Sequence, residues 1–184
     1  MSTEFTLDPV SAADWPESIG DMQQSFAGGL NVYRTMAHHP ALLRAWANLR
    51  QHVVNDTSLG EQRSEVVILR TGVRLNSGYE WSQHVARARS RGLDDTRISS
   101  LRRSVADMNP SDAVLAQAVD ELFADAGLSN ETAKALVGLV GIEGMFDLMA
   151  TVGFYSTLGF ILNAAKTPLD SDIAADLAAA PLID

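Results

Sequence analysis

Between Ser58 and Gly92 the chain spells out two helices and the break that separates them. Ser58-Leu59-Gly60-Glu61 has the form of a capping box, in which the serine oxygen accepts from the Glu61 amide while the carboxylate reaches back. The helix it opens is expected to run to about Leu75. Asn76-Ser77-Gly78 ends that pattern, and a second helix is expected over 78–91 before Gly92 stops it. The same grammar recurs on both sides. Pro40 stands at a first-turn position in Pro40-Ala41-Leu42-Leu43-Arg44-Ala45-Trp46-Ala47-Asn48-Leu49, whose apolar residues recur at helical spacing. A short helix is expected over 94–103. Asn109-Pro110-Ser111-Asp112 is a turn and cap leading into a helix over 113–126, and Ser129 caps another over 131–140. Val66-Val67-Ile68-Leu69 is the best strand candidate, but it lies inside a helical pattern. The predicted class is all-α.

A second constraint lies near the C-terminus, where residues 148–165 run without a charge. That meets the threshold of roughly 18 residues for a membrane span. Thr151, Ser156, Thr157, Asn163 and two glycines dilute the run, and Glu143 and Asp147 crowd its start. The expectation is a helix buried all round, in the core or between subunits, and no membrane partner. In layout, 59–93 echoes 128–169: each is a capped helix, a Gly-bearing break and a longer helix, as a duplicated helical hairpin would give. A chain of 184 residues with 46% hydrophobic content is long enough for one domain with its own core. Its net charge of -9 argues against nucleic acid, which demands a clustered basic surface. The absence of cysteine excludes disulfides, thiolate metal sites and thiol catalysis, and leaves the redox compartment open. Met1-Ser2-Thr3-Glu4-Phe5-Thr6-Leu7-Asp8 lacks the features of a signal peptide, so a cytoplasmic location is expected.

The residues with chemical potential cluster at the start of the second helix. Glu80 and His84 stand four residues apart, so a helix beginning near Gly78 stacks them about one turn apart on one face. Glu65 sits in the apolar run of the preceding helix, either facing solvent or held inward for a reason. Two carboxylates and an imidazole make a proton-transfer site that needs no metal and no thiol. Structural readings stand beside these. Ser77-Gly78-Tyr79-Glu80 is itself a capping-box pattern, so Glu80 has a second role open to it. Tyr79 and Trp81 suit either a pocket wall or core packing. Tyr155 and Asn163 lie on the late apolar helix, where a buried Asn163 requires a partner. Arg87 and Arg91 share the His84 face and are placed to meet a substrate carboxylate. His38, His39 and His52 lack a recognised ligand spacing, and no metal site is expected.

The stretch Glu65-Val66-Val67-Ile68-Leu69-Arg70, followed by Tyr79-Glu80-Trp81-Ser82-Gln83-His84-Val85-Ala86-Arg87-Ala88 and Gly92-Leu93, resembles the carboxymuconolactone decarboxylase family. The resemblance extends upstream to Leu30-Asn31-Val32-Tyr33-Arg34-Thr35-Met36-Ala37-His38-His39-Pro40. Downstream it reaches Gly153-Phe154-Tyr155, Leu162-Asn163-Ala164 and Pro168-Leu169. It implies an AhpD-like helical bundle over 30–169, with an N-terminal extension over 1–29 and a C-terminal tail over 170–184. A short helix is expected from Asp14-Trp15-Pro16-Glu17-Ser18, and the alanine-rich tail is expected to fold against a neighbouring subunit. The peroxidase branch of that superfamily carries two cysteines where this chain has Ser77 and Glu80. Serine and glutamate cannot exchange disulfides, so the resemblance points to the cysteine-free branch and not to a thiol peroxidase.

What the resemblance implies is a cofactor-independent lyase or isomerase acting on a small unsaturated or aromatic-derived acid or lactone. Loss of carbon dioxide from an unsaturated lactone acid leaves electrons that conjugation into the carbonyl can hold, and a positioned acid then protonates carbon. Histidine suits that step because its unperturbed pKa of about 6.5 lies near working pH. The expected site has His84 as acid–base group, Glu80 as its orienter and Glu65 as a second carboxylate. Tyr79, Trp81, Arg87, Tyr155 and Asn163 are the expected substrate-binding residues. The alternative is a non-catalytic protein of the same fold that binds a small ligand or an interaction partner. No cofactor is expected. The resemblance and the bulk of Trp46, Trp81 and Phe154 point to a homo-oligomer, a trimer or hexamer.

Overall fold

The computed structural model of the chain describes residues 5–182. Residues 1–4 and 183–184, the outer ends of the extension and the tail, lie outside the described residues. Among the described residues there are helices and turns and no strand. The α-helices are α1 (Gly20–Gln23), α2 (Asn31–Met36), α3 (Pro40–Gln51), α4 (Glu61–Arg74), α5 (Gly78–Ser90), α6 (Asp95–Ser100), α7 (Pro110–Asp125), α8 (Asn130–Ala165) and α9 (Ser171–Ala179). A π-helical turn, His52–Asp56, extends α3.

Side-chain caps start most of the long helices. Ser77 accepts from the Glu80 amide, Asp94 from Arg97, Asn109 from Asp112 and Ser129 from Thr132. The expected cap at Ser58 does not form. The N-cap of α4 is Gly60, whose φ of 76° favours glycine, and no side chain bonds there. Ser58 instead donates its amide (2.6 Å) and hydroxyl (2.7 Å) to the Asp147 carboxylate of α8. Those charge-assisted bonds hold Ser58 outside the helix, which begins after Gly60. The helix expected over 94–103 also ends early, at Ser100. Beyond it Arg70 draws the Leu101 and Arg103 carbonyls inward, and Ser104 caps a short 3-10 turn.

Helix α4 is the centre of the molecule. Every residue from Ser64 to Gly72 is buried. On one side Val66, Val67 and Leu69 pack with Trp81, Val85, Ile98, Leu115 and Leu148. On the other, Ile68 joins Ile19, Val32, Leu43, Phe154 and Leu158. The buried polar side chains of α4 are partnered: Arg70 forks onto Asp120 at 2.9 and 2.5 Å, and the Thr71 hydroxyl donates to the Val67 carbonyl.

The helix buried all round is therefore α4 and not the late apolar one. Helix α8 packs on α4 and α7. It buries Leu148, Phe154, Leu158 and Leu162 but leaves Ile142, Phe146 and Phe160 exposed at 64%, 63% and 62%. It is long and apolar enough to cross a membrane by length and composition, but one face lies against the bundle. It breaks at Gly141, where φ is 75°. The echoing units thus differ at their joins: the first turns through Leu75, Asn76 and Ser77, the second through one glycine.

Both outer segments are stitched to this frame. The Leu7 amide donates to the Ala165 carbonyl, Arg34 donates to the Val10 carbonyl, and Ile19, Met22 and Ala27 are buried. Within this chain the tail folds as α9 against α5, with Arg89 donating to the Ala180 carbonyl.

Asp147 joins α8 to the segment entering α4. Burial would raise its pKa, but hydrogen bonds from His52 and Ser58 outweigh that and hold it below the ordinary 3.8. The stabilisation is complete above that value and is lost as pH falls through the lowered one. Asp147→Ala is expected to cost about 2–4 kcal/mol in denaturant unfolding near neutral pH. The gap from wild type should narrow below pH 3.8. A gap that stayed constant into acid would show that the charge of Asp147 contributes nothing.

Candidate active site

Helices α4 and α5 bring three ionisable side chains together. The Ser77 cap starts α5 so that Glu80 falls in its first turn and His84 one turn on. Glu65 projects from α4 with no solvent exposure, its Oε2 2.7 Å from His84 Nδ1. Its other oxygen, Oε1, accepts from Arg91 Nη1 at 2.7 Å and lies 3.3 Å from Arg87 Nε. A carboxylate held by a guanidinium accepts at both oxygens. His84 Nδ1 therefore carries the hydrogen and donates it, leaving Nε2 toward Glu80.

Glu80 is the unusual group. It is 3% exposed, and its Oε1 has no hydrogen-bond partner among the described residues. Its Oε2 is 3.6 Å from His84 Nε2, too long for a direct bond but within reach of a small adjustment. Burial pushes the Glu80 carboxyl up to about 7; the His84 charge opposes this and Glu65 adds to it. Ser77 caps the Glu80 amide, but the carboxyl does not complete a reciprocal box.

The trio opens onto a cavity of about 300 Å³ lined from α2, the α3 end, α5, α8 and α9. Glu80, His84 and Arg87 face it, with Tyr79 and Tyr155 in the wall. The Tyr155 ring stands edge-on to His84, 5.0 Å between centroids at 89°. Burial raises the Tyr155 pKa well above the usual phenol value, so its hydroxyl stays neutral. Tyr79 donates to Asp170 at 2.5 Å and accepts from the Val32 amide at 3.0 Å, while Gln83 donates to the same Asp170 carboxylate. The Asn31 amide donates to the other oxygen of Asp170. This knot holds α2 and the entry to α9 against α5.

Two expected binding residues lie elsewhere. Trp81 packs in the α4–α7 core beneath the Arg102 guanidinium, 4.2 Å from its ring centroid. One residue on from Glu80, it is rotated about 100° round the helix, away from the cavity. Asn163 is exposed and donates to the Leu75 carbonyl at the end of α4. Arg91 is engaged with Glu65 and the Glu61 carbonyl. The wall also includes Tyr33, Arg50, Gln83, Ile173 and Asp176, which the sequence reading missed. Only Gln83 carried a local signal, lying one turn from Tyr79. His38, His39 and His52 are apart: His38 meets the Asp8 carbonyl, His39 caps α3 and His52 contacts Asp147.

Between pH 4.5 and about 7 the folded chain holds a proton on Glu80 that the unfolded chain has released. Stability contributed by that proton falls as pH rises through this window. Glu80→Gln should therefore gain on wild type between about pH 5 and 8, by up to about 3 kcal/mol. Paired thermal melts across that range check it. A difference independent of pH would mean that Glu80 is ionised throughout.

The sequence profile of the carboxymuconolactone decarboxylase family matches residues 40–122, the stretch that holds Glu65, Glu80 and His84. No curated protein matches the chain. Among solved structures, a cysteine-to-alanine variant of the debrominase Bmp8 in complex with 2,3,4-tribromopyrrole is similar over 97% of this chain and 99% of its own, with a TM-score of 0.75 and 15% identity. An uncharacterized peroxidase-related protein from Silicibacter sp. TM1040 is similar over 94% and 95%, with a TM-score of 0.76 and 15% identity. A further one, described as an alkylhydroperoxidase AhpD core from Ralstonia eutropha JMP134, gives 94% and 96%, 0.73 and 18%. At these identities the likeness establishes the fold and not the chemistry.

Proposed function

We infer that this chain, whose residues 40–122 match the carboxymuconolactone decarboxylase family and whose fold is AhpD-like, is a cofactor-independent lyase or isomerase for a small unsaturated or aromatic-derived acid or lactone. The observation that carries the reading is Glu80: a buried carboxyl with one unpartnered oxygen, beside His84, on the wall of a cavity. A group left so is expensive unless a ligand or a transferred proton uses it.

The division of labour follows from the hydrogen bonds. Glu65, steadied by Arg91, fixes His84 through Nδ1 and stabilises the ring when Nε2 takes a proton. Glu80, held up at about 7, exchanges a proton with a reacting carbon or with Nε2 near neutral pH. In a decarboxylation, the bonding pair left by carbon dioxide moves into the conjugated carbonyl, and the acid then protonates carbon. In an isomerisation the same pair of groups removes a proton from one carbon and returns it to another. Disulfide exchange is closed to a chain without cysteine.

A second reading, ligand binding without turnover, draws on the same cavity and needs no proton transfer. The exposed Ile142, Phe146 and Phe160 support self-association, which the family resemblance puts at a trimer or hexamer. Light scattering should then give a multiple of the 19.8 kDa chain mass.

The enzyme reading is tested by turnover of a panel of unsaturated lactone acids, following carbon dioxide release and ultraviolet absorbance. Wild-type turnover should fall by about 10²–10⁴-fold in His84→Asn. A comparable loss is expected in Glu80→Gln, with both variants matched for oligomeric state and shown by melting curves to be folded at the assay temperature. Saturable binding of panel members without turnover in the wild type would favour the binding reading. Equal rates in wild type and His84→Asn would remove His84 from the chemistry.

A further inference from the structure

Three arginines surround the cavity and its trio, and they are not equivalent. Arg91 is bonded to Glu65 at 2.7 Å, and Arg87 leans on the same oxygen at 3.3 Å. One carboxylate of the protein thus faces both guanidinium groups, Arg91 through a hydrogen bond and Arg87 through its Nε alone. Arg50 comes from the other side, on the last turn of α3 before the π-helical turn. It lines the cavity and forms no ion pair with any described carboxylate.

Arg50 is nevertheless held firmly. Its guanidinium lies 4.2 Å from the Phe26 ring centroid and 5.5 Å from that of Tyr33. Phe26 and Tyr33 pack edge to face at 4.9 Å. Arg50 Nε donates to the Tyr33 hydroxyl at 3.1 Å. The aromatic contacts fix the plane and the tyrosine occupies Nε, so the two Nη groups have no acceptor among the described residues. A planar cation so fixed presents its remaining donors as a fork, the arrangement that recognises a carboxylate.

We infer that Arg50 is the anchor for the carboxylate of the molecule that fills this cavity, a small aromatic or unsaturated monoacid. The inference rests on the reading of the cavity as the site for such an acid. Arg50 is chosen over Arg87 because Arg87 Nε already leans on Glu65, whereas Arg50 pairs with no described carboxylate. Asp176, the acid of the wall besides Glu80, disfavours a carboxylate beside it. Tyr33 and Tyr155 then supply faces against which a flat ring or conjugated chain packs.

Calorimetric titration of the full chain with benzoate and with its neutral isostere benzamide tests this. Wild type should bind benzoate more tightly than benzamide. Arg50→Gln should weaken benzoate on the order of 10–100-fold and leave benzamide unchanged. Arg50→Lys should keep part of the preference, because charge survives but the fork does not. Melting curves establish that each variant is folded, and the benzoate-to-benzamide ratio in wild type needs no variant. A purely structural Arg50 would weaken both ligands alike and overturn the inference. So would a wild type without preference for benzoate, or a benzoate-selective loss in Arg87→Gln instead. An Arg50-dependent preference without turnover of any lactone acid would leave the anchor standing and count against the enzyme reading.

Discussion

A carboxylate in the middle of a fully buried helix governs this structure. Glu65 has no solvent exposure, and an ionised group there is costly unless it is paired and bonded. Its side-chain partners among the described residues come from α5 and the residue that caps its end: His84 on one oxygen, Arg91 and Arg87 on the other. A buried ion cluster adds little net stability over apolar packing, but it tolerates few alternative alignments. A slide of α5 along α4 would strand a charge in the core. The same contacts that make α4 and α5 pack in one register therefore set the imidazole and aim it at Glu80.

The two glutamates show how environment divides one side-chain chemistry into two roles. Glu65 is surrounded by donors and serves as a fixed acceptor. Glu80 lies in the first turn of α5, where the helix dipole favours a negative charge. Desolvation nevertheless wins, and the carboxyl is held up at about 7. By resemblance, the thiol-bearing branch of this fold uses the same helix start for cysteines. Here Ser77 caps the backbone and Glu80 stands as a buried carboxyl, so the same architectural position holds an ionisable oxygen acid in place of a thiol.

Much of this was legible because it is local. Helix periods, the caps at Ser77, Asp94, Asn109 and Ser129, and the Glu80–His84 spacing all depend on residues within a turn of one another. What escaped depends on neighbours remote in sequence. Ser58 had a sound capping pattern, yet a carboxylate on α8 captured it. Trp81 and Asn163 were plausible wall residues by proximity in sequence, but helix rotation sent one to the core and the end of α4 claimed the other. The late run looked buried on every side because hydropathy does not tell a central helix from a peripheral one. Helix α4, with Glu65 and Arg70, looked more amphipathic than it is because its partners were invisible. Arg50 and Tyr33 had no motif at all: their relation exists only once α2 and α3 have packed.

The knot at Asp170 carries a consequence for the order in which the protein is made. Glu65 and His84 are 19 residues apart, whereas the bond from the Asn31 amide to Asp170 spans 139 and that from Tyr79 spans 91. Larger loops cost more entropy to close, and distant contacts form more slowly than near ones. A chain emerging from the ribosome can join α4 to α5 soon after Arg91 is free. It cannot fasten α2 and α9 over them until Asp170 has followed. The pairing of Glu65 with His84 can thus precede the knot at Asp170, and the chamber closes over a charged centre that needs no part of that knot to form.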